Sequence, residues 1–233
     1  MIICHPLKII FVKTKKVGGT SFEIALANYC SENCIITKIS PADEKLRKEH
    51  GYRTAQNFDF SSPVNHLKFW HKNFGFKGQF QNHIESDKIK RQIPIAVWDE
   101  YTKIAIHRNP FEVLVSKYFW NQRNIEVRNR MPFSEWILKY PQKATMNLRI
   151  APINGEFSVD KIIRYEALEQ DINALGIDGL WTLFSSIKAK GNIRPKDGPI
   201  TNAMYLNQAE VVHVIRDLCA EEIKFFGYEI PQI

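Results

Sequence analysis

Between Lys13 and Ser21 the chain reads Lys-Thr-Lys-Lys-Val-Gly-Gly-Thr-Ser, placing lysines, two adjacent glycines and the hydroxyls of Thr20 and Ser21 in one short run. These residue types suit an anion. Glycines let the backbone approach a phosphate, amides at a helix start donate to it, and the helix dipole favours its charge. The order is not that of a Walker A loop, GxxxxGK followed by Ser or Thr, because Lys16 precedes the glycine pair. Mg-ATP phosphoryl transfer is thereby disfavoured. No clustered carboxylates suited to a divalent cation are found, and no metal is expected. The cysteines Cys4, Cys30, Cys34 and Cys219 contain no CxxC pair and no paired-ligand spacing, which argues against a zinc finger and against a disulfide framework. A reducing, cytoplasmic setting is expected.

The loop needs elements on both sides to hold it. Lys8-Ile9-Ile10-Phe11-Val12-Lys13 is short, β-rich and apolar at its centre, the pattern of a buried parallel strand. After Ser21, residues Phe22, Ala25, Leu26 and Tyr29 fall at i, i+3, i+4 and i+7, one apolar face of a helix. A second strand-turn-helix unit spans Thr102 to Asn121. There Ile104-Ala105-Ile106 reads as strand, His107-Arg108-Asn109 as turn, Asn109 as cap and Pro110 as first helical residue, ahead of an apolar stripe through Phe111, Leu114, Val115, Tyr118 and Phe119. A third unit runs from Val159–Ile163 into a helix near Glu166, and Gln208 to Phe226 reads as one amphipathic helix closed by Gly227. The alternation predicts an α/β fold, one domain over residues 1–233 with a central, mainly parallel sheet. An irregular excursion covers about residues 40–83. From Tyr52 to His83 it is rich in aromatics (Phe58, Phe60, Phe69, Trp70, Phe74, Phe76, Phe80), which fits either a lid or acceptor-binding segment or a satellite hydrophobic cluster. Lys188 to Pro199, with Lys188, Lys190, Arg194 and Lys196, reads as a basic loop.

Composition bounds the partners. The 233 residues are 44% hydrophobic and 24% charged, enough to bury a sizeable core without covalent staples. Lys and Arg number 32 against 25 Asp and Glu, a net charge of +7 that favours anionic partners such as nucleotides, acidic saccharides or nucleic acid. No apolar run approaches the roughly 18 residues of a membrane span. The first strand-like run begins at Lys8, so neither a membrane span nor a signal peptide is expected.

Lys16-Val17-Gly18-Gly19-Thr20-Ser21-Phe22 resembles the lysine-threonine-glycine-glycine-threonine-serine loop of the sulfotransferases that use 3′-phosphoadenosine 5′-phosphosulfate (PAPS). In that family the loop grips the 5′-phosphosulfate, and an arginine at a strand end with a serine eight residues later binds the 3′-phosphate. Arg108 and Ser116 stand in that relation. Arg108-Asn109-Pro110-Phe111 resembles the surrounding signature, and Asp160–Leu168 and Phe226–Glu229 are similar to later landmarks. The likeness runs from Lys8 to Glu229 except for Ile35–Asn82, and is nearest the carbohydrate sulfotransferases and their bacterial relatives. Lys15 stands where proline is common and Val17 where threonine is common, and Lys13-Thr14 offers a rival register for the catalytic lysine.

The resemblance implies a P-loop-like three-layer fold and transfer of a sulfonyl group from PAPS to an alcohol, a saccharide hydroxyl in the branch it is nearest, leaving adenosine 3′,5′-bisphosphate. It places Lys16, Gly18, Gly19, Thr20, Ser21, Arg108 and Ser116 at the donor, with Arg194 of the basic loop as a further candidate. Charge develops on the bridging oxygen of the leaving phosphate, where the Lys16 ammonium would stabilise it without a metal. The acceptor hydroxyl needs a base. Gln81-Asn82-His83-Ile84, ahead of a helix-like Glu85–Gln92, resembles the segment that supplies one, so His83 leads over Glu23, His66, His71 and His107. The rivals are a basic polyanion or nucleic-acid binder, a P-loop nucleotide kinase, and a donor-binding protein without activity. Basic residues spread along the chain and anion motifs at strand-to-helix turns argue against the first, and the glycine-lysine order against the second.

Overall fold

The computed structural model of the chain describes residues 1–61, 75–187, 189 and 201–233. His66, Phe69, Trp70, His71, Phe74, Arg194 and most of the basic run Lys188–Pro199 lie outside the described residues. In chain order the strands are β1 (Ile2–Cys4), β2 (Ile9–Phe11), β3 (Ile35–Ile36), β4 (Asp59–Phe60), β5 (Gly78–Gln79), β6 (Thr102–His107) and β7 (Lys161–Arg164). The helices are α1 (Gly19–Ala27), α2 (Pro41–Glu49), α3 (Ser86–Gln92), α4 (Ile95–Glu100), α5 (Pro110–Gln122), α6 (Phe133–Lys139), α7 (Met146–Ile150), α8 (Leu168–Asn173), α9 (Leu180–Ser186), α10 (Thr201–Tyr205), α11 (Ala209–Leu218) and α12 (Ala220–Phe226). Among the described residues no helix is long and apolar enough to cross a membrane.

The residues group into two compact units, one of Met1–Thr14, Gly18–His107 and Ile150–Ala189, the other of Lys15–Val17, Arg108–Arg149 and Lys190–Ile233. The first holds an α/β sheet of five strands in the order β3-β1-β2-β6-β7. β2, β6 and β7 are parallel neighbours; β2 and β6 are buried along nearly their whole length, while β7 forms a partly exposed edge. The sheet as a whole is mixed, because β1 runs antiparallel to both β2 and β3. This corrects the reading of Lys8 as the start of the first strand. Ile2–Cys4 is only one strand of a hairpin, closed by a turn in which the Lys8 amide donates to the His5 carbonyl (3.2 Å) and Lys8 sits at φ 50°.

In this unit Phe60, Phe76, Phe80 and Trp98 pack into the core with Ile3, Ile10 and Ala105. Of the described aromatics of the 52–83 excursion, Phe60, Phe76 and Phe80 are therefore core, with the partly buried Phe58 packed against them. In the second unit α5 turns its stripe of Phe111, Leu114, Val115 and Tyr118 onto Phe133, Trp136, Tyr205 and Ile215. The C-terminal stretch is two helices instead of one, interrupted at Cys219, whose backbone is not helical (φ −109°, ψ 17°), and it ends at Gly227 in the left-handed region.

Candidate functional site

Because β2 and β6 are parallel neighbours, the chain leaves the sheet at the same edge after each. The Val12 amide continues the ladder to Ile104 (2.8 Å), and the Thr14 hydroxyl donates to the Ile106 carbonyl. Edges of this kind, beyond the carboxyl ends of parallel strands, are where open α/β sheets bind ligands.

Gly18 caps α1 at φ 74°, a backbone that L side chains rarely adopt, and Phe22 N–H closes the first helical bond on its carbonyl (3.2 Å). The amides of Gly19, Thr20 and Ser21 thus precede the first intrahelical bond, and α1 has no acidic residue in its first turn. A Cβ on Gly19 would stand 3.2 Å from the Lys13 side chain, so this position admits little else. Ser21 Oγ accepts from the Ala189 amide (3.3 Å).

The two candidate lysines have different surroundings. Lys13 is buried, with Nζ 2.5 Å from Glu23. Glu23 has no exposure and also meets the Met1 amine (2.7 Å), the Thr37 hydroxyl (3.2 Å) and the Arg47 guanidinium (3.8 Å). Burial pulls the Glu23 carboxyl up, but the amine, Lys13 and Arg47 outweigh it and hold the group down to about 2. A carboxylate so placed is a structural counter-ion and a poor base.

Lys16 lies in the other unit, half-buried, at φ 63°. Non-glycine residues in this region are strained and gather at functional sites. Neighbours hold it there. Asn147 brackets Lys15 with two hydrogen bonds, its Oδ1 accepting from the Lys15 amide (2.8 Å) and its Nδ2 donating to the Lys15 carbonyl (3.0 Å). The Arg108 guanidinium reaches the Lys16 carbonyl at 3.4 Å and pairs with Glu112 at 2.8 Å. Lys16 Nζ lies 4.4 Å from the centre of the Trp120 ring, and the Arg123 guanidinium lies 4.2 Å from the same centre. Arg108, Glu112, Ser116 and Trp120 recur at four-residue intervals, so they share one face of α5 and the turn before it. Lys16 touches the first and the last of these, with Ser116 on the stripe between. Lys15, Lys117, Arg123 and Lys143 crowd the same unit. Burial pushes the Lys117 ammonium below its ordinary value, helped by repulsion from Lys15, Lys143 and Arg123, and Lys143 is lowered by burial and then by Lys15. An anion is the ligand such a field favours.

Asn109 caps α5, accepting from the Phe111 amide at 3.0 Å, with Pro110 at the first helical position, as the sequence indicated. His83 Nδ1 lies 2.9 Å from the Lys13 carbonyl. A carbonyl only accepts, so Nδ1 carries the proton and the neutral ring keeps its lone pair on Nε2. His107 is fully buried, with Nε2 donating to the Ala151 carbonyl (3.0 Å), so it faces the core and not a ligand.

Glu112, Trp120 and Asn147 were absent from the sequence expectations. The first two were readable as the residues four before and four after Ser116. Asn147 carried no signal, since it meets Lys15 across 132 residues of chain. Comparison with protein-family models, curated proteins and solved structures gave no match to this chain.

Proposed function

We propose that the chain is a sulfotransferase that moves a sulfonyl group from PAPS to an alcohol, a saccharide hydroxyl by resemblance, in a P-loop-like three-layer fold. The observation that carries the proposal is the contact of Lys16 with Arg108 at one end and Trp120 at the other of the α5 stripe that holds Ser116. A nucleotide with phosphate at both ends needs two anion sites. The resemblance assigns the α1 amides and Lys16 to the 5′ end and Arg108 with Ser116 to the 3′-phosphate. The residues fit such a ligand: the amides at the α1 start meet no acidic neighbour in the first turn, and Lys117 and Lys143 are crowded by other cations. Arg194 is assigned to the donor on sequence alone.

The donor, when bound, supplies an electrophilic sulfur and a phosphate leaving group. Lys16 then serves as the cation beside the oxygen on which charge accumulates, an interaction stronger in the transition state than in the ground state. Trp120 holds the ammonium over its ring when no anion competes for it. His83, oriented through Nδ1 by the Lys13 carbonyl, takes the acceptor proton at Nε2. Glu23 is excluded from that task by its burial against the Lys13 and Arg47 cations and the Met1 amine.

The test is release of adenosine 3′,5′-bisphosphate from PAPS in the presence of neutral and acidic saccharides and a simple phenol. Acceptor-dependent release is expected, and Lys16→Ala should lower it by about 100- to 1000-fold. No acceptor-dependent release by the unmutated chain with any of these acceptors would overturn the proposal.

A further inference from the structure

Three of the four cysteines meet inside the sheet unit: Cys30 and Cys34, close in sequence, and Cys4, far from both. Cys4 ends β1, Cys30 follows the end of α1, and Cys34 directly precedes β3. All three are buried, and their Sγ atoms lie within 4.8 Å of one another. Sulfurs bound to one Zn²⁺ at bonds of about 2.3 Å stand roughly 4 Å apart, so the thiols need only small movements to share a cation.

Their surroundings resemble a prepared ligand set more than a patch of small apolar residues. Cys34 Sγ receives the His5 amide (3.3 Å) and the Ser31 amide (3.2 Å), and the Ser31 hydroxyl is 3.4 Å away. Donors of this kind stabilise a thiolate, the form that binds metal. Cys4 and Cys30 each point a thiol at a carbonyl, of Tyr29 and of Leu26, both at the long distance of 3.6 Å. The loop between Cys30 and Cys34 is fixed from outside by side chains. Arg53 Nε donates to the Cys30 carbonyl (2.8 Å), Gln56 Nε2 to those of Ser31 (2.8 Å) and Cys34 (2.9 Å), and Asn57 Nδ2 to those of Glu32 (2.7 Å) and Cys34 (3.0 Å). Holding ligands through a surrounding shell of hydrogen bonds is how proteins preorganise metal sites.

We propose that Cys4, Cys30 and Cys34 form a three-thiolate site for one soft d¹⁰ cation, Zn²⁺ or Cu⁺. Thiolates select such ions over Mg²⁺ and Ca²⁺, which prefer oxygen. On binding, each thiol that ligates releases its proton to solvent, three metal–sulfur bonds form, and no electron is transferred. The site ties the end of α1 to β1 and to the start of β3. It is separate from the Lys16 loop and does not depend on the transferase proposal.

The test uses the full chain, reduced and freed of metal, titrated with Zn²⁺ alone and, anaerobically, with Cu⁺ alone; Co²⁺ serves as a chromophoric stand-in for Zn²⁺. One equivalent of Zn²⁺ or of Cu⁺ should bind and raise the melting temperature. The arm that saturates at one equivalent with the tighter affinity identifies the ion. Co²⁺ should give thiolate-to-metal charge-transfer absorption. Cys34→Ser and, separately, Cys30→Ser should weaken binding at least tenfold, and Cys219→Ser should leave it unchanged. The variants may be replaced by a readout on the unmutated chain, in which metal should shield Cys4, Cys30 and Cys34 from alkylation during brief partial denaturation. Failure of both ions to bind stoichiometrically would overturn the proposal. So would equal binding by the folded Cys34→Ser and Cys30→Ser variants, absence of shielding, or a disulfide joining two of the three in chain isolated under reducing conditions.

Discussion

Lys13 and Lys16 are three residues apart and face different environments. Lys13 is sealed against Glu23, so Lys13→Ala leaves a buried carboxylate with one cation fewer and should cost about 3–5 kcal/mol of stability. Chemical denaturation measures this directly. Glu23 also sets a pH dependence. Its carboxyl is held below the ordinary 4.5, at about 2, so its contribution is present above pH 4.5 and is lost as pH falls from there through 2. Acid titration of the melting temperature should show that loss in the unmutated chain, and Glu23→Gln, already less stable at neutral pH, should show less of it. His83→Ala tests a different role: turnover should fall by about 100- to 10,000-fold while donor affinity is nearly kept. The deficit should shrink with a phenol, whose proton leaves more easily. The glycine, lysine and hydroxyl types mark the loop as a candidate anion cradle on sequence alone. The pairing of Lys13 with Glu23 was not legible, because Arg47 and Thr37 reach that carboxylate from other segments.

At the scale of elements, the glycine turn and α5 each hold candidate residues of the proposed site. Gly18 sits at φ 74°, so Gly18→Ala should cost about 1–2 kcal/mol and weaken nucleotide binding by tilting the first amides of α1. Asn147→Ala removes both hydrogen bonds that bracket Lys15 and should destabilise the chain by about 1–3 kcal/mol, with a loss of nucleotide affinity that calorimetry can read separately from folding. The strand-turn-helix unit at Thr102–Asn121 was legible down to its cap because Asn109 and Pro110 encode the helix start locally. The same holds for α3, expected at Glu85–Gln92 and found at Ser86–Gln92. β1 and β3 were not legible, since neither belongs to a strand-turn-helix unit and both are placed by antiparallel pairing with each other and, for β1, with β2. The break at Cys219 was hidden because the apolar stripe continues on both sides of it.

For the whole molecule, a net charge of +7 and two strand-to-helix turns at one sheet edge suit a discrete polyanionic ligand better than an extended one. The acceptor of the proposed reaction is the least legible part, because Ile35–Asn82, which lies outside the sequence resemblance, is also where the aromatic excursion lies. Its described aromatics support the core. The three-thiol cluster was likewise invisible in spacing, since Cys4 reaches Cys30 and Cys34 only through the pairing of β1 with β3. The central claim concerns the two ends of one nucleotide, and isothermal titration of the full chain with adenosine 3′,5′-bisphosphate and with adenosine 5′-monophosphate tests it most directly. The bisphosphate should bind about 10- to 100-fold more tightly, the worth of one or two charge-assisted hydrogen bonds, and Arg108→Ala should remove most of that difference. Equal affinity of the unmutated chain for the two nucleotides would contradict the assignment of Arg108 and Ser116 to a 3′-phosphate.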